Sequence, residues 1–385
     1  MTFNSKNLSI VFDLGTTEIK GAVMKNDGTL VQKVTQQNYT TVTDSNRHEQ
    51  DAIFWWKAIC SVSNELCESH KIHSVIVTGQ MQNLLLLNTK GSPLQEVILY
   101  SDQRSIEESE WLLQNSCYLD LVAKTGNEQG PTSLLAKLLW IKKHQPEIFS
   151  KTDCLLPGAS DYVVFRMTGE KATDTTTAST TGLMELVERK WIDEALFNKM
   201  GLQGVQTLLP KLFDGGAKIG ELQKKAATDL GIPAGLPVFL GPGDAGSATI
   251  GAGCGVPGKA YAYIGTSGWV AFAEKQPADP TTGVITLSHP KCDHFIQVAP
   301  LLTAGGNLEW AKSLSNFESY DSLINDAISS PLSNLIFLPY LKGERSPFID
   351  PKARGAFIGL QSTTGQSAMN RAVLEGICFA FRHAL

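Results

Sequence analysis

Leu8-Ser-Ile-Val-Phe-Asp-Leu-Gly-Thr-Thr-Glu-Ile-Lys-Gly-Ala-Val-Met24 decides how the rest of the chain is read. An apolar run over 8–12 ends in Asp13-Leu14-Gly15-Thr16-Thr17, and a second run over 19–24 follows at once. Asn26-Asp27-Gly28 then turns the chain into a third run near 30–34. Short β-branched runs punctuated by Gly, Asn and Asp read as strands joined by tight turns. The stretch therefore predicts a three-stranded meander with a Gly-Thr-Thr turn near its start. The pattern returns at Ala260-Tyr-Ala-Tyr-Ile-Gly-Thr-Ser-Gly-Trp-Val-Ala-Phe-Ala273, with strands over 261–264 and 269–273 around Gly265-Thr266-Ser267-Gly268. Two hairpins with equivalent Gly-Thr turns predict an internal repeat of a large unit. The Gly/Pro-rich stretch 253–258 (GCGVPG) marks the join, giving domains over 1–253 and 254–385.

Between the hairpins the periodicity alternates. Helices are predicted over 53–68, 105–115 and 133–144, and strands over 74–78, 84–87, 97–99 and 237–240. Leu134, Leu135, Leu138, Leu139 and Ile141 predict a one-sided apolar helix face. A small-residue helix over 244–253 and a terminal helix over 368–385 complete an α/β pattern, with helices covering sheets. The Thr-rich stretch 171–181 (KATDTTTASTT) reads as a surface loop or edge strand.

Composition excludes several classes. The 385 residues are 42% hydrophobic and 18% charged, enough for two sizeable cores. With 33 Lys+Arg against 38 Asp+Glu, the net charge of −5 provides no basic excess for nucleic acid or an anionic membrane. No apolar run is long enough to span a bilayer, and the opening MTFNSKNLSIVFD has no apolar leader core. Cys60, Cys67, Cys117, Cys154, Cys254, Cys292 and Cys378 are scattered without a CxxC, which predicts reduced thiols in the cytoplasm. The His residues form no metal-ligand pair.

Asp13 beside Gly15-Thr16-Thr17 suits a phosphate site, because glycine admits backbone N–H groups to an anion and the hydroxyls add donors. Its carboxylate also suits a hydrated Mg²⁺. An ordinary hairpin turn is the plain alternative. Gly241-Pro-Gly-Asp-Ala-Gly246 formally matches a dinucleotide fingerprint, but no acidic residue follows at the required distance. Asp244 then stands at a strand's carboxyl end as a general base, as the cap of the following helix, or as both. Gln80-Met81-Gln82 follows a strand and reads alone as a core edge. Asp102 and Arg104 read alone as a surface ion pair. Thr303-Ala-Gly-Gly-Asn-Leu-Glu-Trp310 enters a helix through a Gly turn, where anions bind. No GxxxxGK[ST] and no GxSxG occurs.

These motifs together resemble the FGGY family of carbohydrate kinases, nearest to the xylulokinases and other pentulose kinases. The resemblance runs over essentially the whole chain. Besides the two hairpins it rests on Thr78-Gly-Gln-Met81, Ser101-Asp-Gln-Arg104, Asp161-Tyr-Val-Val-Phe-Arg-Met-Thr-Gly169 and Gly241-Pro-Gly-Asp244. Its strongest block is Leu338-Pro-Tyr-Leu-Lys-Gly-Glu-Arg-Ser-Pro347, continued by Asp350-Pro-Lys-Ala-Arg-Gly-Ala-Phe-Ile-Gly-Leu360 and Arg371-Ala-Val-Leu-Glu-Gly376. It implies two ribonuclease-H-like lobes of the actin/hexokinase type, with ATP and sugar in a cleft and a second lobe cut short. It implies ATP- and Mg²⁺-dependent phosphorylation of a sugar hydroxyl, D-xylulose first. Ribulose, another polyol, a heptulose or a sugar acid are alternatives, as is a non-catalytic sugar-binding homologue.

Residue by residue, the resemblance makes Asp244 the catalytic base and sets Asp13 beside the metal and phosphates, with both as metal ligands. Gly15, Thr16, Thr17 and Lys20 fall on the first phosphate hairpin, Gly265 and Thr266 on the second, and Gly305 and Glu309 at the nucleotide. Met81, Gln82, Asp102, Arg104 and Asp244 fall at the sugar. A homodimer is expected by the same resemblance. Gln82 stands where xylulokinases usually carry His, which opens the choice of sugar. Thr364 also replaces a frequent His and carries no functional conclusion. Family members continue past residue 385 into a Gly-rich adenosine turn, so weak or absent ATP binding is expected.

Overall fold

Residues 8–37 form the expected meander: β1 (Leu8–Leu14), β2 (Glu18–Lys25) and β3 (Leu30–Gln37), each antiparallel to the last. The computed structural model describes residues 8–44, 46–67, 70–291, 293–315 and 317–385. The opening seven residues, Glu68 of the expected first helix and Cys292 lie outside them. Alternation in β1 buries Ile10, Phe12 and Leu14 on one face. Helix α1 (Ala52–Cys67) covers that face with Trp55, Ile59, Val62 and Leu66, spaced three or four apart. Each such side chain, fully buried, contributes about 1.5–3 kcal/mol.

Strand β4 (Ile72–Gly79) returns parallel to β1. Strands β5 (Ala217–Glu221) and β6 (Pro237–Leu240) extend the sheet, with β6 parallel to β4 and β5 antiparallel to β6. The order is β5-β6-β4-β1-β2-β3, a ribonuclease-H-like sheet with one added edge strand. Helix Ala159–Thr168 packs against the same core. A second core gathers Leu84, Leu121, Leu134, Leu138, Ile141 and Phe197.

The chain divides into two compact units, Met1–Gly251 with Leu287–His294, and Ala252–Thr286 with Phe295–Leu385. Strands β7 (Ala260–Ile264), β8 (Gly268–Glu274), β9 (Ile285–Ser288) and β10 (Phe295–Leu301) form a sheet in the order β7-β8-β10-β9, which belongs to the second unit except for Leu287 and Ser288 of β9. Helix Gln366–His383 buries Val373 and Ile377 against Leu323, Leu335 and Phe337. The described cysteines are free thiols, and burial pushes those of Cys60 and Cys154 up to about 12. Among the described residues no helix is long and apolar enough to cross a membrane.

Three local expectations need correction. The Thr-rich stretch is not a surface loop; its first residues do form an edge strand, in a two-stranded sheet, but a buried one. Strand Ala172–Asp174 and helix Thr175–Ala178 are buried throughout. Some of the hydroxyls are satisfied locally: Ser179, Thr180 and Thr181 each donate to the carbonyl three residues back. Thr176 Oγ1 donates to Ser288 O at 2.8 Å. Helix Leu134–His144 is not one-sided, because Ala136, Lys137 and Trp140 are buried as well. Asp102 and Arg104 do pair, but inside the protein and not on its surface.

Candidate active site

Strands β6, β4 and β1 lie side by side and parallel, so their carboxyl ends share one sheet edge. Asp13 is in register with Thr78, and Leu240 with Val77. The turns leaving these strands carry Gly15-Thr16-Thr17, Gln80-Met81-Gln82 and Gly241-Pro-Gly-Asp244. Ligands of open α/β sheets collect beyond such carboxyl ends. Asp13, Met81, Gln82 and Asp244 are thus gathered by topology alone.

Asp13 faces Lys20 across the hairpin, with Nζ 3.9 Å from Oδ2. Burial raises its carboxyl above the usual value, against the pull of Lys20 and Lys33. The carbonyls of the adjoining turn are tied inward. Asn38 Nδ2 donates to Gly15 O at 2.9 Å, Gln50 Nε2 to Thr16 O at 2.8 Å, and Asn38 N to Thr17 O at 2.8 Å. Gln50 Oε1 in turn accepts from Asn38 (3.1 Å), Trp55 (3.0 Å) and Gln80 (2.8 Å). The N–H groups of Gly15, Thr16 and Thr17 donate to no turn or side-chain acceptor among the described residues. Carbonyls held in and amides without a turn acceptor are an arrangement that suits an anion.

The second hairpin also has its carbonyls tied inward, although here Gly265 N donates within the turn to Ser267 O at 2.8 Å. Gly265 O accepts from Gly305 N at 2.8 Å, and Thr266 O from Ala304 N at 3.0 Å and Gly306 N at 2.9 Å. A Cβ on Gly305 would lie 2.5 Å from Gly265 O, so only glycine permits this approach. Glu309 lies exposed on helix Gly305–Ser313. These residues belong to the second unit, and the first cradle to the first.

Asp244 opens helix Asp244–Gly251, and its Oδ1 accepts from Ala245 N at 2.7 Å. Desolvation pushes its carboxyl up to about 7, with the Asp13 and Asp174 carboxylates adding repulsion and the Ala245 bond opposing. The residue itself is exposed to solvent, which holds the rise below what full burial would give. Its turn is fixed by Gly241 N to Val77 O (2.8 Å) and Thr78 Oγ1 to Pro242 O (2.7 Å). Met81 is 7% exposed, and Gln82 holds φ at 59° while its Nε2 donates to Thr180 O at 3.1 Å. The left-handed backbone of a non-glycine residue costs about 1–3 kcal/mol, so the surroundings impose it.

Asp102 is fully buried. Its Oδ1 accepts from Arg104 N (3.0 Å) and Nε (2.9 Å), and its Oδ2 from His48 N (2.7 Å) and Arg104 Nη2 (2.7 Å). A carboxylate offers about four lone-pair sites, and all are taken here. The geometry therefore leaves no direct sugar contact to Asp102, contrary to the expectation from its motif. Arg104 also binds Glu49 at 2.7 Å and stacks on Trp140 at 5.2 Å. Desolvation lowers its pKa, but the bonds and charges of Asp102 and Glu49 outweigh that and raise it. Beneath this pair Lys137 is fully buried and donates to Leu99 O at 2.6 Å. Desolvation pushes Lys137 down to about 7, helped by Arg104 and resisted by Asp102.

Residues 8–251 match the N-terminal domain of the FGGY family of carbohydrate kinases, and residues 260–385 its C-terminal domain. The chain belongs to this family. It is 33% identical to a xylulose kinase of Klebsiella pneumoniae over 382 residues, covering 96% of this chain and 77% of the relative. It is 32% identical to that of Escherichia coli, covering 96% and 76%. A xylulose kinase structure from Brucella ovis superposes with a TM-score of 0.89 at 29% identity, covering 98% of this chain and 78% of that one. A gluconate kinase structure from Lactobacillus acidophilus gives 0.88 at 28%, with the same coverage. The two-lobed actin/hexokinase-type fold is thereby shown.

In this FGGY kinase the motif glycines and aspartates were readable in the sequence, and their supports were not. Asn38 and Gln50 belong to no motif, and their amides meet the first turn only through folding. Asp174 lay within the stretch read as a loop. Its one sequence signal is an Asp followed by three Thr, a helix-cap pattern.

Proposed function

We propose that this FGGY kinase transfers the γ-phosphoryl group of ATP to a hydroxyl of a ketopentose, D-xylulose being the first candidate. The carrying observation is the shared carboxyl edge of β1, β4 and β6. It carries Asp13 with the Gly15–Thr17 turn, the Gln80–Gln82 turn, and Asp244 with its raised pKa on adjacent strands.

Asp244 takes the proton from the attacking hydroxyl. A base whose pKa lies near neutrality suits that task. Met81 walls the sugar and Gln82 donates or accepts through its amide. Arg104 shapes this side, with Asp102 holding it. Gly15, Thr16, Thr17 and Lys20 bind the phosphates, and Gly265 and Thr266 serve them from the second hairpin. Gly305 and Glu309 attend the nucleotide. On this assignment residues 1–253 serve sugar and the first phosphate hairpin, and 254–385 the second.

Asp13 and Asp244 fit a Mg²⁺ ion. Both carboxyls are raised and they repel one another, a strain that a divalent cation relieves. Mg²⁺ characteristically takes one or two carboxylates plus phosphate oxygens. When bound it would offset phosphate charge during transfer. The free thiols favour a reducing compartment, and we assign the protein to the cytoplasm.

A sugar acid such as gluconate is the second reading. It is favoured by Gln82 in place of the usual His and by the gluconate kinase among the structural relatives. The test is ADP release from Mg-ATP against D-xylulose, D-ribulose, L-ribulose, glycerol, gluconate and sedoheptulose, with Asp244→Ala alongside. Asp244-dependent turnover of one sugar names the substrate. Turnover that survives in the variant removes Asp244 as base.

A further inference from the structure

Asp174 ends the short strand Ala172–Asp174, is fully buried, and belongs to no described ion pair. Its charge is balanced by dipoles alone. Oδ1 accepts from Thr176 N (2.9 Å), Thr177 N (3.1 Å) and Gly243 N (3.3 Å), and Oδ2 from Thr177 Oγ1 (2.6 Å). The two threonine amides are what an N-cap satisfies. The Gly243 amide is not. It belongs to a turn 69 positions away and immediately precedes Asp244.

The same point is crowded from two other sides. A Cβ on Gly243 would lie 2.4 Å from Met81 Cγ and 2.6 Å from Thr177 Oγ1. A Cβ on Gly246 would lie 2.8 Å from Thr176 Cγ2. The turn bearing Asp244, the side chain of Met81 and the threonine helix are therefore in mutual contact around one buried carboxylate. Burying a charge without a counter-ion is costly, and every bond it accepts is needed to offset that. A neutral cap would serve a four-residue helix at lower cost. The extra reach to Gly243 is what a cap does not explain.

We propose that Asp174 is a positioning residue for phosphoryl transfer, fixing the Gly243–Asp244 peptide and the Met81 wall together through Gly243 N–H and Thr177 Oγ1. The proposal rests on Asp244 being the base.

Asp174→Ala and Asp174→Asn separate positioning from folding. Asn keeps an oxygen that accepts from the three amides, and its NH₂ can donate to Thr177 Oγ1. A misplacement of about 1 Å near reacting atoms costs about 100-fold in rate. In the 385-residue chain, Asp174→Ala is expected to lower kcat about 100-fold while the KM for ATP stays within about twofold, and Asp174→Asn to restore kcat to within about tenfold of wild type. Amide exchange supplies a readout independent of turnover. Gly243 should exchange faster in Asp174→Ala and near the wild-type rate in Asp174→Asn. Wild-type kcat in Asp174→Ala, or unchanged Gly243 exchange, overturns the proposal. Equal loss of kcat in both variants overturns it too, since the retained amide bonds would then count for nothing. If Asp244→Ala stays active, the base assignment is what has failed, and Gly243 exchange still decides the role of Asp174.

Discussion

Asp244 carries the sharpest pH prediction. A base works only when deprotonated, and this carboxyl is raised toward about 7 by desolvation, which its solvent exposure limits, and by the carboxylates of Asp13 and Asp174. The value of kcat/KM for the sugar should therefore fall as pH drops through about 7, because free-enzyme protonation governs it. A profile flat between about pH 6 and 8 would contradict this. Asp244→Asn should lose about 10²–10⁴-fold, the usual range for a general base. Lys137 makes the opposite kind of statement, about stability. Its folded pKa is about 7, whereas an unfolded lysine titrates near 10.4. Between those values the unfolded chain holds the proton and the folded chain does not, so this group makes stability rise with pH. Urea unfolding of wild type and Lys137→Met at pH 7 and 9 should show a difference that grows toward alkali, by at most about 1.4 kcal/mol per pH unit. A pH-independent difference would mean that the buried lysine stays charged. At this scale the sequence exposed Asp13 and Asp244, since each ends an apolar strand beside glycines. It hid Asp174 and Lys137, whose importance comes from burial, and burial is decided by elements far along the chain.

Elements were legible where one face is apolar. Strand β1, helix α1 and strand β4 follow their periodicity to within a few residues. The threonine segment failed for the converse reason. Its side chains carry no hydrophobic pattern, yet they are buried, with the hydroxyls of Ser179, Thr180 and Thr181 bonded to carbonyls three residues back, Thr177 to Asp174 and Thr176 to Ser288. The cradle at Gly15–Thr17 shows the same limit. Its glycine and threonines are visible, but its rigidity comes from Gln50, which makes five hydrogen bonds through one side chain: to Thr16, Thr40, Asn38, Trp55 and Gln80. Gln50→Ala strands several of those groups, and each buried unsatisfied group costs about 1–3 kcal/mol. A lowered melting temperature is expected, together with a larger rise in KM for ATP than for the sugar, because the freed carbonyl, Thr16 O, lies in the turn proposed to bind the phosphates. Equal rises in both constants would assign Gln50 to general stability alone.

At the scale of the whole molecule, the candidate residues divide between the two units. Met81, Gln82, Arg104 and Asp244 belong to the first, and Gly265, Thr266, Gly305 and Glu309 to the second. Each unit has its own core, so each has its own local stability. A ligand that touches one unit stabilises that unit by mass action, by about 2.7 kcal/mol at 100 times its Kd. Sugar without nucleotide should therefore slow amide exchange over 80–84 and 241–247 and leave 264–268 and 303–309 unchanged. Retention of this pattern in Asp244→Asn would separate binding from proton transfer, since the amide still offers an acceptor to the sugar hydroxyl while the base is gone. Protection by sugar at 264–268 with none at 80–84 would move the sugar site off the β1-β4-β6 edge, and the roles of Met81 and Gln82 would fall with it.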